Sequence, residues 1–93
     1  MGVRLDRRLG GCDLVLEGIV DVFEARELHT LALAAVDAGG EVTVRMEMVE
    51  RLDSSAIQIL LALGQTLKAV GRSYRLEGMS SAIQESWRLL GLG

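Results

Sequence analysis

The sequence predicts a small α/β domain: a mixed β-sheet of four to five strands with helices packed mainly on one face, in the order β β α β α β α. Three observations carry this expectation. The chain has 93 residues, room for a single domain over 1–93. It is 49% hydrophobic but only 3% aromatic, so the core is built from Leu, Val, Ile, Ala and Met, the mixture expected of helices packed on a sheet. The apolar spacing also switches repeatedly between a period of two and one near 3.6, with glycines at the switches.

Val3, Leu5 and Arg7 alternate with their neighbours before Gly10-Gly11, and Cys12, Leu14 and Leu16 alternate after it. Two strands joined by a Gly-Gly turn follow, the second ended by Gly18. From Asp21 onward Phe23, Leu28, Leu31, Ala32, Ala35 and Val36 fall near a helical period that Gly39-Gly40 closes. Val42, Val44 and Met46 give a third strand, and Glu47 to Leu52 is expected as a loop with Met48 and Val49 tucked beneath it. Asp53 and Ser54 are residue types that cap helices, and the helical period then runs to Val70, where Gly71 stops it. Ile57, Leu60, Leu61, Leu67 and Val70 form the expected buried stripe, with Gln58, Gln65 and Lys68 toward water. Tyr74 and Leu76 make a short strand ending at Gly78. Ser80 or Ser81 opens a last helix through Ile83, Trp87 and Leu90, capped by Gly91. Strand–helix–strand crossovers favour parallel neighbours with right-handed connections, while the N-terminal hairpin is antiparallel. Helices on one side leave the other face of the sheet partly exposed.

Composition excludes several classes of function. A lone Cys12 rules out an internal disulfide, and with only His29 beside it no set of soft metal ligands is available. Ten basic against thirteen acidic residues offer no basic face for nucleic acid. Met1 to Arg8 is charged and no apolar run approaches the ~20 residues of a membrane span, so a cytoplasmic protein without membrane insertion is expected. No GxGxxG, P-loop or calcium-loop pattern occurs, and Glu47, Glu50 and Asp53 read as solvated loop carboxylates. Cys12 reads as a small buried hydrophobe and His29 as a solvated helix residue, so no catalytic residue and no cofactor is assigned.

Asp53-Ser54-Ser55 remains. Capping a helix needs one such side chain, and two more at the same terminus are surplus to that role. A hydroxyl in a first helical turn lies beside unpaired N–H groups and the positive end of the helix dipole, where a phosphate is accepted. Such a site adds a charge of roughly −1.5 to −2 without unfolding the domain, and a partner can read the change.

The segment Arg51-Leu52-Asp53-Ser54-Ser55-Ala56-Ile57-Gln58-Ile59-Leu60-Leu61 resembles the signature of STAS domains, the family of the bacterial anti-sigma factor antagonists. There a strand leads into Asp-Ser/Thr-Ser/Ala-Gly/Ala and a Leu-rich helix. Gly71, Leu76 and the run from Trp87 to Leu92, with its Gly91-Leu92 pair, match the family's later strand and last helix. The resemblance implies a STAS-like fold and an activity of binding rather than catalysis. It implies phosphorylation at Ser55 by an anti-sigma-type serine kinase, and partner binding through Asp53, Ser54, Ser55 and Ala56. Ala56 stands where the best-known antagonists have Gly. In this it is similar to small stand-alone STAS proteins found beside chemotaxis genes or as accessory subunits of phospholipid-transport ABC systems, several of which lack the acceptor hydroxyl.

Two functions follow as alternatives. One is a phospho-switchable signalling module that docks its partner through the start of the Asp53–Val70 helix. The other is a constitutive subunit, not phosphorylated, of a chemotaxis assembly or of an ABC permease and ATPase. Nothing in the residues supports nucleotide or lipid binding. A homodimer is left open by Val and Leu on the uncovered sheet face.

Overall fold

A computed structural model describes residues 2–91. Its elements are β1 (Val3–Arg8), β2 (Gly11–Val20), α1 (Val22–Ala38), β3 (Glu41–Leu52), α2 (Ser54–Ala69), β4 (Tyr74–Glu77) and α3 (Ser81–Gly91). This is the expected element order. The four strands form one sheet in the order β1-β2-β3-β4, antiparallel between β1 and β2 and parallel across β2–β3 and β3–β4.

Strand alternation builds the core. Cys12, Leu14 and Leu16 of β2 and Val42, Val44 and Met46 of β3 point to one face, where they are buried with Leu28 and Ala35 of α1 and Ile57, Leu60 and Leu67 of α2. Ile83 adds α3 to the same core, and the Ser80 hydroxyl caps that helix by accepting from the Ile83 N–H at 3.2 Å. The Leu92 of the expected Gly91-Leu92 pair lies outside the described residues, and Gly91, expected as the cap of α3, is itself helical at the end of the described residues.

Several boundaries differ from the sequence expectation. The hairpin turn is Leu9-Gly10, because Gly11 already pairs with Arg8 as the first residue of β2. Gly18 does not end β2: it takes φ +69° beside a register shift, and the strand bends and continues to Val20. The expected loop from Glu47 to Leu52 is the second half of β3, held against β2 across two irregularities. That irregular pairing turns Met48 out to solvent while Val49 packs on the core. In α2, Leu63 is buried and Val70 is exposed as the C-cap, so the stripe ends at Leu67. Gly71, at φ +74°, terminates the helix by donating to the Lys68 carbonyl at 3.1 Å.

The uncovered face is not an apolar Val/Leu surface. Asp13 accepts from Arg8 Nε at 2.8 Å and Arg45 Nε at 3.0 Å, and Arg45 reaches Glu77 at 2.9 Å. Arg8 also donates to Thr43 Oγ1 at 3.1 Å, beneath these arginines. A sheet face satisfied by its own ions has no need of a second copy to cover it, which removes the apolar ground for homodimerisation.

Candidate functional site

Parallel pairing of β2 with β3 brings the ends of both strands, and therefore the starts of α1 and α2, to one pole of the domain. The Asp53 N–H donates to the Val20 carbonyl at 2.9 Å, which fixes the start of α2 against the end of β2. Asp53 is extended, at φ −71° and ψ 155°, and its carbonyl accepts the first helical bond from Ile57 at 3.1 Å. It is the N-cap, as its residue type predicts.

The Asp53 carboxylate accepts two hydrogen bonds from one residue. Ser55 donates its N–H at 3.0 Å and its hydroxyl at 2.6 Å to the same Oδ2. The second distance is that of a hydroxyl bonded to an ionised acceptor. The Ser55 hydroxyl, followed by the Ser55 N–H, holds the Asp53 carboxyl below the usual carboxylate range. Asp53 therefore stays ionised at neutral pH and orients the Ser55 Oγ.

Of the residues that the sequence groups at this site, Asp53 and Ser54 are exposed and Ser55 is half-buried with its Oγ on Asp53. Ala56 is fully buried and offers no side chain to a partner. The helix turns by about 100° per residue, so a residue next to two outward ones faces the sheet. Ala56 thus seats the turn on the core rather than contributing to its surface.

The same pole exposes apolar side chains that sequence reasoning missed. Phe23 is 86% exposed, Val22 58% and Ile19 48%, while Met48, 68% exposed, lies further back on β3 opposite Glu17. The apolar spacing predicts Phe23 in the helical period of α1. Asp21 caps α1 by accepting from the Phe23 N–H at 3.0 Å and the Glu24 N–H at 3.2 Å, which places Phe23 in the first turn. Counting back three and four residues from buried Leu28 reaches Ala25 and Glu24, so the period itself leaves Phe23 off the stripe. A cavity of about 280 Å³ runs between Ile19, Asp21, Arg51 and Ser54, joining the two helix starts.

Other candidate chemistry is dispersed. Cys12 is fully buried, and burial pushes its thiol up. His29 is exposed on α1. Glu47 and Glu50 are exposed strand residues rather than loop residues, and among the described residues no group of three His, Cys, Asp or Glu side chains could hold a metal ion. Among the same residues no helix is long and apolar enough to cross a membrane.

Comparison with known proteins bears on this geometry. No curated protein matches the sequence. Among solved structures, the anti-sigma factor antagonist SpoIIAA in its unphosphorylated form superposes with a TM-score of 0.80 at 18% identity, covering 95% of this chain and 83% of that one. The Bacillus cell fate determinant SpoIIAA in its phosphorylated form gives 0.81 at 20% identity, with 99% and 86% covered. The murine anion transporter Slc26a9 gives 0.70 at 14% identity over 86% of this chain but only 14% of its own. At these identities the likeness is one of fold. The STAS_2 family model, described as "Mlab, STAS domain", matches residues 3–93, all seven elements of the β β α β α β α architecture and the Asp53–Ser55 helix start among them, and the chain belongs to that family.

Proposed function

We infer that this domain is a non-catalytic regulatory binding module that docks a protein partner at the start of α2 and is switched by phosphorylation of Ser55. The observation that carries this reading is the Ser55 hydroxyl held at 2.6 Å from the Asp53 carboxylate at a solvent-facing helix start. A carboxylate in that position aims the Oγ lone pairs and accepts the hydroxyl proton as a phosphoryl group arrives, while the transferring ATP-dependent serine kinase supplies the rest. Once added, the phosphate and the Asp53 carboxylate compete for the same Ser55 N–H and repel each other. The first turn rearranges locally, and the exposed Phe23 and Val22 nearby belong to the surface whose docking then changes. At an effective dielectric of about 20, a phosphate ~4 Å from a partner carboxylate costs several kcal/mol, close to the ~5.5 kcal/mol that turns a two-state equilibrium over. The fold of SpoIIAA, solved with and without its phosphate, supports the same reading.

Ser55→Asp is expected to abolish capture of the partner from the protein's own host, while Ser55→Ala retains it. Native protein is expected to carry one phosphate by intact mass, absent from Ser55→Ala. Equal capture by both variants sinks the switch. A second reading, a constitutive subunit of a transport assembly, draws on the presence of this fold within the Slc26a9 anion transporter. It predicts native protein without phosphate and partner capture indifferent to Ser55→Asp.

A further inference from the structure

A second cavity, of about 390 Å³, opens between α2, β4 and α3, away from the starts of α1 and α2. Its volume falls in the range of small-molecule sites, roughly 300–1,000 Å³. The chain has three aromatic residues, and two of them, Tyr74 and Trp87, line this cavity with Leu61 and Leu76. The Tyr74 ring is fixed: its hydroxyl donates to the Leu60 carbonyl at 2.8 Å, and its edge lies where a Cβ on Gly64 would approach to 2.8 Å. Lys68 and Arg72 complete the lining. The Arg72 guanidinium is turned to the end of α1, where its three nitrogens donate to the carbonyls of Val36 at 2.7 Å, Gly40 at 3.0 Å and Ala35 at 3.1 Å, which leaves Lys68 as the cation to meet a ligand. Among the described residues no carboxylate lines the cavity or pairs with Lys68, although the protein as a whole is acidic. Flat apolar walls beside a lysine with no carboxylate partner among the described residues match a ligand with a planar apolar body and one anionic end.

We propose that the cavity between α2, β4 and α3 binds a small aromatic carboxylate, its ring against Trp87 and Tyr74 and its carboxylate on Lys68. Trp87 is the sole tryptophan, so its indole N–H gives a single resonance that reports on the site. In an NMR titration of the ¹⁵N-labelled protein, 2-naphthoate is expected to shift that resonance saturably and to bind about tenfold tighter than 2-naphthalenemethanol. Lys68→Gln is expected to erase the preference for the anion and leave the alcohol's affinity unchanged, and Lys68→Arg to restore it. The overlay of the remaining amide resonances shows that the variants are folded. A non-saturating shift, equal affinity for acid and alcohol, or an anion preference that survives Lys68→Gln each overturns the proposal.

Discussion

Replacing Gly64 with alanine sets two opposed effects against each other inside α2. In an ordinary helix interior the change stabilises by about 1 kcal/mol, because glycine gives up the most backbone freedom on folding. Here the added Cβ would stand 2.8 Å from Tyr74 Cε2 and 3.0 Å from Cδ2, where apolar carbons rest at about 3.5–4.0 Å. The ring cannot swing away freely, since its hydroxyl is bonded to the Leu60 carbonyl of the same helix at 2.8 Å. Overpacking of this kind costs about 1–3 kcal/mol, so the net expectation is a loss of about 1 kcal/mol. That corresponds to a fall in melting temperature of about 4–8 °C for a domain of this size. Urea unfolding reads it directly as a lower midpoint at constant slope. In a Tyr74→Leu background the same substitution is expected to stabilise, with a coupling energy of about 1–2 kcal/mol between the two sites. A Gly64→Ala protein more stable than the parent would refute the close approach of ring and helix.

Leu60→Ala, at a fully buried position of α2, is expected to cost about 3–5 kcal/mol in the same urea experiment, and a loss under 1 kcal/mol would contradict its place in the core. Gly71→Ala should destabilise by about 1–2 kcal/mol although open space surrounds the site, because φ is +74° there; an unchanged midpoint would speak against that backbone. Asp13 gives a pH dependence. Burial pushes its carboxyl up, but the hydrogen bonds from Arg8 and Arg45 more than reverse this and its pKa lies below the ordinary value. A depressed folded pKa contributes stability that is fully present above the unfolded value of about 3.9 and is lost as pH falls through the lower folded one. Urea midpoints measured from about pH 6 to pH 2 should therefore fall less steeply for Asp13→Asn than for the parent, and parallel curves would remove the ion pairs from the acid response.

The candidate site was legible as far as residue type reaches. Asp53 is named as a cap by its chemistry and position, and the surplus of hydroxyls beside it marks the turn as unusual. Whether Ser55 uses its oxygen toward solvent, toward a backbone carbonyl or toward Asp53 depends on a rotamer, and the structure selects Asp53. The buried setting of Ala56 follows from how α2 lies on the sheet, which residue type does not encode. The exposure of Phe23, Val22, Met48 and Ile19 is not legible in the sequence, because hydrophobicity alone does not distinguish a core side chain from an exposed apolar one.

What the sequence determined by itself is local: seven elements in order, the antiparallel hairpin followed by parallel crossovers, a cap at Asp53 and another at Ser80 or Ser81, and the alternating core of β2 and β3. Periodicity, capping and turn chemistry act over a few residues, so each leaves its mark on the stretch it governs. Only the tertiary structure decided what depends on a distant partner. β3 runs on to Leu52 because β2, bent at Gly18, remains alongside to pair with it. The open sheet face became an ion ladder because Asp13 meets Arg45, 32 residues away in the chain, through the β2–β3 register. The cluster of exposed apolar side chains around the α1 and α2 starts arises likewise, because parallel pairing gathers the ends of two strands at one pole. Pairing register and helix placement are properties of segments brought together, and a single segment read alone carries no record of either.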